Sequence, residues 1–449
     1  MTTNMGVDAS RTRELPWYKT LSRRQWSILA ASNFGWMFDG FENYALILTA
    51  GVALHQLVEP SAQGSLPVYI GALIAINLLG WGVGGMLGGI LADYIGRKRM
   101  MIVSILAYSV TTGLSGFAWS FESLAVLRFL VGVAVGSEWA TGSSMMAELW
   151  PDDARGKGAG LMQCGLGLGF FFASLAWLLI APLGEHAWRY MYLLGVLPAL
   201  LTLWIRRAIP ESALWEAVKA KRGAARKKQQ SGAALSSEDA QLVKFTLSVL
   251  LADRAVRGRT VAVFLMSLAT TVGFWSISTW VPPFIAATAG IKGLVAAKWA
   301  SYAGMAFTAG SITGYIALGF LSDAYGRKPV TIAFYILALL TTPVLFFTTS
   351  DLYVLLGFAF VSGIFANGQY TWMPVWLPEL YPTRMRATAL AFAFNAPRFL
   401  AFLGPLLAGT MIHAFGGYGQ AALALACVYL VGIFAARALP ETNGKPLPR

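Results

Sequence analysis

The stretch "GILADYIGRKRM" occupies residues 89–100, and a close copy, "GFLSDAYGRKPV", occupies residues 319–330. Each copy places an aspartate, a glycine and an Arg-Lys pair in the same order, so that Asp93 corresponds to Asp323 at an offset of 230 residues. The repeat indicates that the chain has two halves built on one plan.

Two further motifs support the same division. "ELWPDDARG" begins at Glu148 and "ELYPTRMRA" begins at Glu379, an offset of 231 residues. "PES" at 210–212 and "PET" at 440–442 again differ by 230. Three separate matches at nearly one offset make coincidence a poor explanation.

The composition is typical of a membrane protein. Of the 449 residues, 57% are hydrophobic and 12% are charged, whereas soluble domains carry roughly 25% charged residues. A helix needs about 20 apolar residues to cross a bilayer, and twelve such stretches are predicted. They are 26–54, 68–91, 100–119, 123–147, 157–181, 189–208, 259–287, 298–322, 329–348, 353–377, 387–412 and 419–437.

A polar, basic segment divides the twelve spans into six and six. We predict a cytoplasmic segment at 1–25, a six-helix bundle at 26–208, a cytoplasmic linker at 209–258, a second bundle at 259–438 and a tail at 439–449. The first segment is too polar and too long for a cleaved secretory signal. Both termini are therefore expected in the cytoplasm.

The chain has a net charge of +13, and its basic residues are distributed unevenly between the two sides of the predicted membrane topology. Most Lys and Arg residues fall on segments predicted inside, while the outer loops keep Arg189, Lys292 and Lys298. This asymmetry fits the positive-inside rule, with the anionic inner leaflet as partner of the basic loops. It argues against a nucleic-acid partner.

The doubled motifs, G-x-L-[AS]-D-x-x-G-R-K and E-x-x-P-x-x-x-R, resemble those of the major facilitator superfamily. The resemblance covers nearly the whole chain. It implies an all-α membrane fold of twelve helices in two pseudo-symmetric bundles, each made of inverted repeats, with a central site and alternating access. It also implies a monomer.

A narrower resemblance rests on "LPWYKTLSRRQW" before the first span, "DGFE" within it and "SEWATGSSMMAELWP" in the fourth. These stretches are similar to those of sialate and monocarboxylate proton symporters, with aromatic-acid symporters and niacin permeases as further relatives. Glu42 stands where the second aspartate of "DGFD" is typical. The resemblance implies an organic acid as substrate.

Charged residues at the inner ends of the spans are candidates for a conformational latch. Opposite charges in short turns can fasten neighbouring helices in one state and must separate when that face opens. The alternative is that they set topology alone. The candidates are Asp93, Arg97, Glu148, Arg155, Asp323, Arg327, Glu379 and Arg386.

Ionisable residues inside the spans are candidates for proton coupling, because hydrocarbon does not solvate charge. Asp39 and Glu42 lie three residues apart on one helix face. Arg128 is expected to pair with Asp39, as the helix-one acid does in related carriers, although a permanent packing pair is the alternative. Glu138, about 15 Å along the helix from Arg128, is expected near the midplane as a proton site, a substrate acceptor or a satisfied buried acid.

Arg398 is the predicted anchor for an organic anion, because its planar guanidinium can hold a carboxylate bidentately. Pairing with Asp39, Glu42 or Glu138 across the interface is the alternative. Other polar and aromatic residues could line the cavity, although packing is the ordinary role of such aromatics. The candidates are Trp36, Gln163, Trp275, Asn367, Tyr370 and Asn395, followed by Tyr44, Asn77, Trp139, Trp280, Gln369 and Trp372.

These features predict a secondary active transporter of the bacterial inner membrane. It would import a small carboxylate, aromatic or monocarboxylate, with protons. An efflux antiporter and a non-transporting sensor are the alternatives. The sequence contains no P-loop, no nucleophile–base arrangement and no metal-ligand cluster. We therefore expect neither an enzyme nor a cofactor, with the proton gradient as the driving force.

Overall fold

The computed structural model describes residues 16–208, 211, 213–236, 239–240, 247–248, 250, 254–383, 385–404, 406, 411 and 414–448. The predicted segment 1–25 and the eleventh span, 387–412, therefore lie partly outside the described residues. The boundaries predicted for the two bundles and the linker stay a prediction.

Helices dominate both halves of the described chain. The first half contains α1 Arg23–Leu57, α2 Leu66–Ile95, α3 Arg97–Ser115, α4 Phe121–Gly136, α5 Glu138–Leu149, α6 Arg155–Ile180, α7 Ala187–Leu194 and α8 Pro198–Ala208. The segment between the halves contains α9 Ala213–Gln230. The second half contains α10 Arg254–Ile291, α11 Ala296–Tyr325, α12 Arg327–Phe347, α13 Leu352–Ser362, α14 Trp372–Leu380, α15 Arg386–Asn395, α16 Arg398–Ala401, α17 Tyr418–Ala426 and α18 Val428–Arg437.

Eight helices of the described residues are long and apolar enough to cross a membrane. The other four predicted spans are represented by helices that are more polar, shorter or interrupted. They are 26–54, which overlaps α1, 100–119, which overlaps α3, 189–208, which overlaps α7 and α8, and 387–412, which overlaps α15 and α16.

The repeated motif builds the same tight turn in each half. Gly96 joins α2 to α3 with a φ of 114°, and Gly326 joins α11 to α12 with a φ of 102°. L-residues with a side chain rarely adopt positive φ, so glycine is required at both positions. The turn brings Asp93 and Arg97, and likewise Asp323 and Arg327, to within salt-bridge distance.

Three helix interruptions lie beside candidate residues. The break between α4 and α5 at Ser137 directly precedes Glu138. A π-helical turn at Gly363–Asn367 and a 3₁₀ turn at Gly368–Thr371 separate α13 from α14, and the 3₁₀ turn carries Tyr370. Irregular turns of this kind often mark functional positions in helices.

The two halves approach each other closely through glycine. A Cβ atom on Gly160 of α6 would lie 2.8 Å from the carbonyl oxygen of Tyr315 on α11. A Cβ atom on Gly85 of α2 would lie 2.1 Å from the side chain of Asn395 on α15. Small residues at helix crossings allow this proximity in a membrane, where packing drives helix association.

The segment predicted as a linker is more structured than its polar composition suggests. Its helix α9 packs against the end of α2, where the Trp215 indole and the Arg222 guanidinium both donate hydrogen bonds of 3.0 Å to the Asp93 carbonyl oxygen. Arg222 also lies 4.8 Å from the centre of the Tyr94 ring. The polar composition of this segment did not predict the contacts that Trp215 and Arg222 make.

Candidate transport site

All eight candidate latch residues meet at one end of the molecule, which we call the latch face. In the first half, Asp93 binds Arg97 at 3.0 Å, and Arg97 lies 3.9 Å from Glu148. In the second half, Arg327 binds Asp323 at 2.9 Å and Glu379 at 2.8 Å. Their role as a latch stays a prediction.

Ion pairs on the latch face also connect the halves. Glu148 lies 3.6 Å from Arg386, and Arg155 lies 2.9 Å from Glu379. Glu148 and Arg155 flank the same turn of the first half. Each reaches the opposite half, because α5 and α6 face α14 and α15 at this end.

Two hydrogen bonds extend this connection. Thr388 donates to the Asp93 carboxylate at 2.7 Å. The backbone N–H groups of Gly156 and Lys157 donate to the Asp323 carboxylate at 3.0 and 2.9 Å. The aspartates of the repeated motif therefore bind their own half and the opposite half together, and this end of the molecule is closed.

The PES and PET motifs cap the repeated turns. Glu211 accepts hydrogen bonds from the backbone N–H groups of Arg97 and Lys98, at 3.0 and 3.3 Å. Glu441 accepts the equivalent bonds from Arg327 and Lys328, at 3.0 and 2.9 Å. A carboxylate is favourable there, because the first N–H groups of a helix have no partner within it.

In the middle of the first half, Arg128 pairs with Glu42 and not with Asp39. Its Nη1 lies 3.7 Å from Oε2 of Glu42, and its Nη2 donates to Ser115 at 2.8 Å. Thr112 donates to the same Glu42 oxygen at 2.8 Å. The predicted Asp39–Arg128 pair is wrong, because the packing of α1 on α4 brings the acid one turn further along α1 to the arginine.

Asp39 instead faces Glu138. Their carboxyl groups are neighbours that interact electrostatically. Among the described residues, none of their four oxygens has a hydrogen-bond partner. Both side chains are buried. Gly35 makes room for the contact, because a Cβ atom there would lie 1.6 Å from Oε1 of Glu138.

An aromatic cluster adjoins this acid pair. Trp139, which follows Glu138, stacks on Phe394 of α15 with 3.9 Å between ring centroids and 12° between planes. Trp36, one turn before Asp39 on α1, meets the same Phe394 at 5.8 Å. The further rings are Trp81, Phe274, Trp275 and Tyr370.

Arg398 lies against this cluster. Its guanidinium is 4.4 Å from the Trp81 ring centroid and 4.0 Å from that of Phe394. It donates to the Tyr370 hydroxyl at 3.1 Å and to the Phe394 carbonyl oxygen. Its Nε has no hydrogen-bond partner among the described residues. The described residues provide no carboxylate within salt-bridge distance of Arg398, so the alternative pairing with Asp39, Glu42 or Glu138 is absent from this conformation.

The remaining candidate residues divide between the central cluster and the interior of one half. Gln163 accepts from the Trp139 indole at 3.3 Å, and the Asn395 side chain lies on Gly85. Asn367 binds Ser311 at 2.9 Å, and Gln369 and Trp372 bind Thr270 at 2.8 and 2.9 Å. These last three side chains connect helices of the second half.

Sequence reasoning missed Trp81, Phe274 and Phe394. A sequence signal existed for two of them, because Phe394 precedes Arg398 by one helical turn and Trp81 lies one turn from both Asn77 and Gly85. No such spacing distinguishes Phe274. Cys164 and Cys427 are free cysteines, and the described residues contain no cluster of potential metal ligands.

Comparison with known proteins identifies the family of this two-halved helical fold. The model of the family described as "Sugar (and other) transporter" matches residues 26–449. The chain belongs to this family. It is therefore a membrane transporter of the major facilitator superfamily and not an enzyme.

Two relatives are similar over most of their length. The "Probable 4-methylmuconolactone transporter" of Cupriavidus pinatubonensis is 29% identical, over 95% of this chain and 93% of the relative. The sialic acid transporter of Escherichia coli is 29% identical, over 90% and 91%. The transporter family and its organic-acid relatives agree with the resemblance found in the sequence.

A solved structure supports the fold. The proton:xylose symporter, bound to 6-bromo-6-deoxy-D-glucose, superposes with a TM-score of 0.72 at 21% sequence identity and covers 94% of this chain and 97% of its own. At this identity the likeness establishes the major facilitator fold alone.

Proposed function

We propose that this transporter carries a small organic anion into the cell together with protons. One observation carries the proposal: an uncompensated acid pair, Asp39 and Glu138, is joined through Trp139 and Phe394 to Arg398. The acids belong to the first half and the arginine to the second. A substrate that bridges them would connect protonation to the relative position of the halves.

Asp39 and Glu138 suit proton binding. Two adjacent buried carboxylates repel each other, and removal from water penalises the charged forms, so a shared proton stabilises the pair. The Arg128 cation is occupied by Glu42 at 3.7 Å. Protonation of the pair would therefore change its charge without a salt-bridged cation among the described residues to compensate.

Arg398 suits the carboxylate of the substrate. Its contacts with Tyr370, Trp81 and Phe394 stabilise the guanidinium while no anion is bound. A carboxylate could replace the hydroxyl and ring contacts with a bidentate charged pair, which is a stronger interaction. A flat substrate body would fit between rings such as Trp139 and Phe394 once they separate.

The names of the relatives agree with this substrate class, since 4-methylmuconolactone and sialic acid are both carboxylic acids. Transport would follow alternating access, with breakage of the ion pairs on the latch face as the step that opens that side. We place the protein in the bacterial plasma membrane, with the latch face and both termini toward the cytoplasm and a monomer as the working unit.

Two measurements test this proposal. A thermal-shift screen against organic acids identifies a ligand, because a ligand stabilises the state that binds it. The purified protein is then placed in proteoliposomes, and uptake of the labelled acid is followed with and without an inward proton gradient. We expect the gradient to drive accumulation and a protonophore to abolish it.

Other outcomes would select a different function. Extrusion of the acid from preloaded vesicles under an inward proton gradient would indicate an antiporter. Binding without flux in either direction would indicate a sensor. A screen whose hits are sugars or cationic drugs would contradict the carboxylate class.

A further inference from the structure

A buried tyrosine hydroxyl in the first half has no hydrogen-bond partner among the described residues. Tyr108 of α3 is fully buried, and its hydroxyl oxygen is unsatisfied. Most buried polar side chains in proteins are hydrogen-bonded, so an unpaired hydroxyl requires an explanation. The candidate site described above does not use Tyr108.

The position of Tyr108 on α3 places it between the two groups of acids. Residues four apart lie on one helix face, about 6 Å apart along the axis. One turn beyond Tyr108, Thr112 donates to Glu42 at 2.8 Å. One turn before it, Ser104 contacts Ser137, the neighbour of Glu138, at 3.2 Å. Tyr108 lies midway along this face.

The charged surroundings of Tyr108 agree with this position. The acids around its buried hydroxyl are Glu138 of α5 and Asp39 and Glu42 of α1. Beyond Glu42 lie the Arg128 guanidinium of α4 and, 4.4 Å from it, the Tyr192 ring of α7. The hydroxyls of Thr112 and Ser104 already have partners.

We propose that Tyr108 transfers protons between Glu42 and the Asp39–Glu138 pair. The phenol donates its proton to a carboxylate of one group while it accepts a proton from the carboxylic acid of the other. One O–H bond breaks and one forms at the tyrosine, which ends neutral as it began. The inference rests on the proposed proton coupling and adds the route by which protons reach the central pair.

The relay explains why the two groups of acids stay separate. Glu42 is held by Arg128 and Thr112, whereas Asp39 and Glu138 lie beside the aromatic cluster. A proton accepted at Glu42 weakens its pairing with Arg128 and can then move on. After transfer, Glu42 is charged again and the pair with Arg128 re-forms.

Tyr108→Phe tests the relay in proteoliposomes. We expect the initial rate of gradient-driven uptake to fall by at least about tenfold, a cautious figure because a positioned proton donor typically contributes about 100-fold or more. The final accumulation ratio should stay at the wild-type value, since the sites that set proton stoichiometry remain. Exchange of internal for external substrate, which needs no net proton movement, should also be retained.

Tyr429→Phe is the matched control. Tyr429 of α18 is also fully buried, and its hydroxyl has no hydrogen-bond partner in the part of the chain that the structure describes. Its neighbour is Tyr335, at 5.9 Å between ring centroids. Uptake by this variant should match that of the wild type. A tenfold loss in the control would show that removal of any buried hydroxyl slows transport and would overturn the relay.

The outcomes separate the relay from the proposed function. If wild-type protein shows no gradient-driven uptake, the proposed function fails. If the wild type accumulates substrate and Tyr108→Phe does so at the same rate, the relay alone fails. A parallel loss of exchange and uptake in a folded variant would make Tyr108 a packing residue and also overturn it.

A second substitution covers the case in which Tyr108→Phe does not fold. Site-specific replacement of Tyr108 by 3,5-difluorotyrosine nearly preserves size while making the phenol more acidic. The uptake rate and its pH dependence should then change, with exchange unaltered. An unchanged pH profile would contradict the relay.

Discussion

The two halves of the molecule share one framework and differ in their chemistry. Each has a positive-φ glycine, a buried Asp–Arg pair and a capping glutamate at the latch face. Toward the centre, the first half buries Asp39, Glu42 and Glu138, whereas the described part of the second half places Arg398 among aromatic rings. The repeat therefore preserves what closes the bundles, while the centre has diverged into complementary charges.

This difference suggests a division of labour. An acid pair can bind and release a proton when no cation holds it in the charged form. An arginine can bind a substrate anion when no carboxylate of the protein is already paired with it. Both conditions are easier to satisfy when the two kinds of residue belong to separate halves. Substitutions of the acids in the first half should therefore affect proton coupling, whereas substitution of Arg398 in the second half should affect binding of the anion.

Asp39→Asn should have the largest effect. The amide cannot carry the transported proton, so we expect gradient-driven accumulation to be abolished while some substrate exchange remains. Uptake into proteoliposomes, with and without internal substrate, measures both. The control is Glu59→Gln, an exposed acid in the α1–α2 connection. Full accumulation by Asp39→Asn would remove this residue from the proton path.

Arg398→Lys should act on affinity. The ammonium group keeps the charge but loses the planar bidentate fork, so binding of the organic anion should weaken about 10- to 100-fold. Binding calorimetry with the acid found in the thermal-shift screen measures the change. If Arg398→Lys bound the acid with wild-type affinity, Arg398 would not be the residue that binds the carboxylate, and Arg128 would be the next candidate.

Glu379→Gln should open the latch face. Glu379 binds Arg155 at 2.9 Å, Arg327 at 2.8 Å and the Thr442 hydroxyl. Removing one partner of a buried ion pair typically costs about 3 kcal/mol, so the closed state should lose population.

Labelling of a cysteine introduced at Ala391, which packs on Gly89 between the halves, reports this opening in a background without Cys164 and Cys427. Glu148→Gln is the matched variant, and its ion pairs are longer, at 3.6 and 3.9 Å. It should increase labelling less. If Glu148→Gln increased labelling more than Glu379→Gln, the ion pairs of Glu148 would contribute more to closure of the latch face than those of Glu379, which would contradict this prediction.

Glu441→Gln should have the smallest effect and should depend on pH. Burial disfavours the charged carboxylate, but the N–H groups of Lys328, Asn443, Arg327 and Thr442 outweigh burial and hold the pKa of Glu441 below its ordinary value. A lowered pKa contributes stability at neutral pH and loses it as pH falls through that pKa.

The melting temperature of Glu441→Gln should therefore lie below that of the wild type at pH 7. The difference should begin to shrink as the pH falls below about 4.3, the ordinary pKa of a glutamate, and should disappear once the pH is below the lowered pKa of Glu441. Glu185→Gln, a substitution of an exposed loop acid, should show little difference at either pH. A constant difference across this range would exclude ionisation of Glu441 as its cause.

Local patterns predicted much of the architecture. The doubled motif indicated both the paired halves and the charged turns, because Gly96 and Gly326 encode a local conformation that needs no knowledge of distant contacts. The apolar runs marked the helices for the same reason. The helix α9 escaped prediction, since its docking depends on Trp215 and Arg222 meeting a carbonyl group of α2.

The pairing of the central charges could not be read from the sequence. Asp39 and Glu42 lie three residues apart, about 4.5 Å along a helix, so a small axial shift of α1 against α4 and α5 exchanges their partners. Packing between the helices sets this register. The spacing of Arg128 and Glu138 was visible, but which acid each would meet was not.

The contact between Asp39 and Glu138 depends on the absence of a side chain at Gly35. The residue has no side chain and takes part in no proton transfer, yet the carboxyl group of Glu138 occupies the space where its Cβ would stand. Even an alanine at position 35 would push the glutamate off Asp39 while leaving both acids in the sequence. A screen for transport-deficient mutants would then recover a chemically silent position alongside the acids themselves.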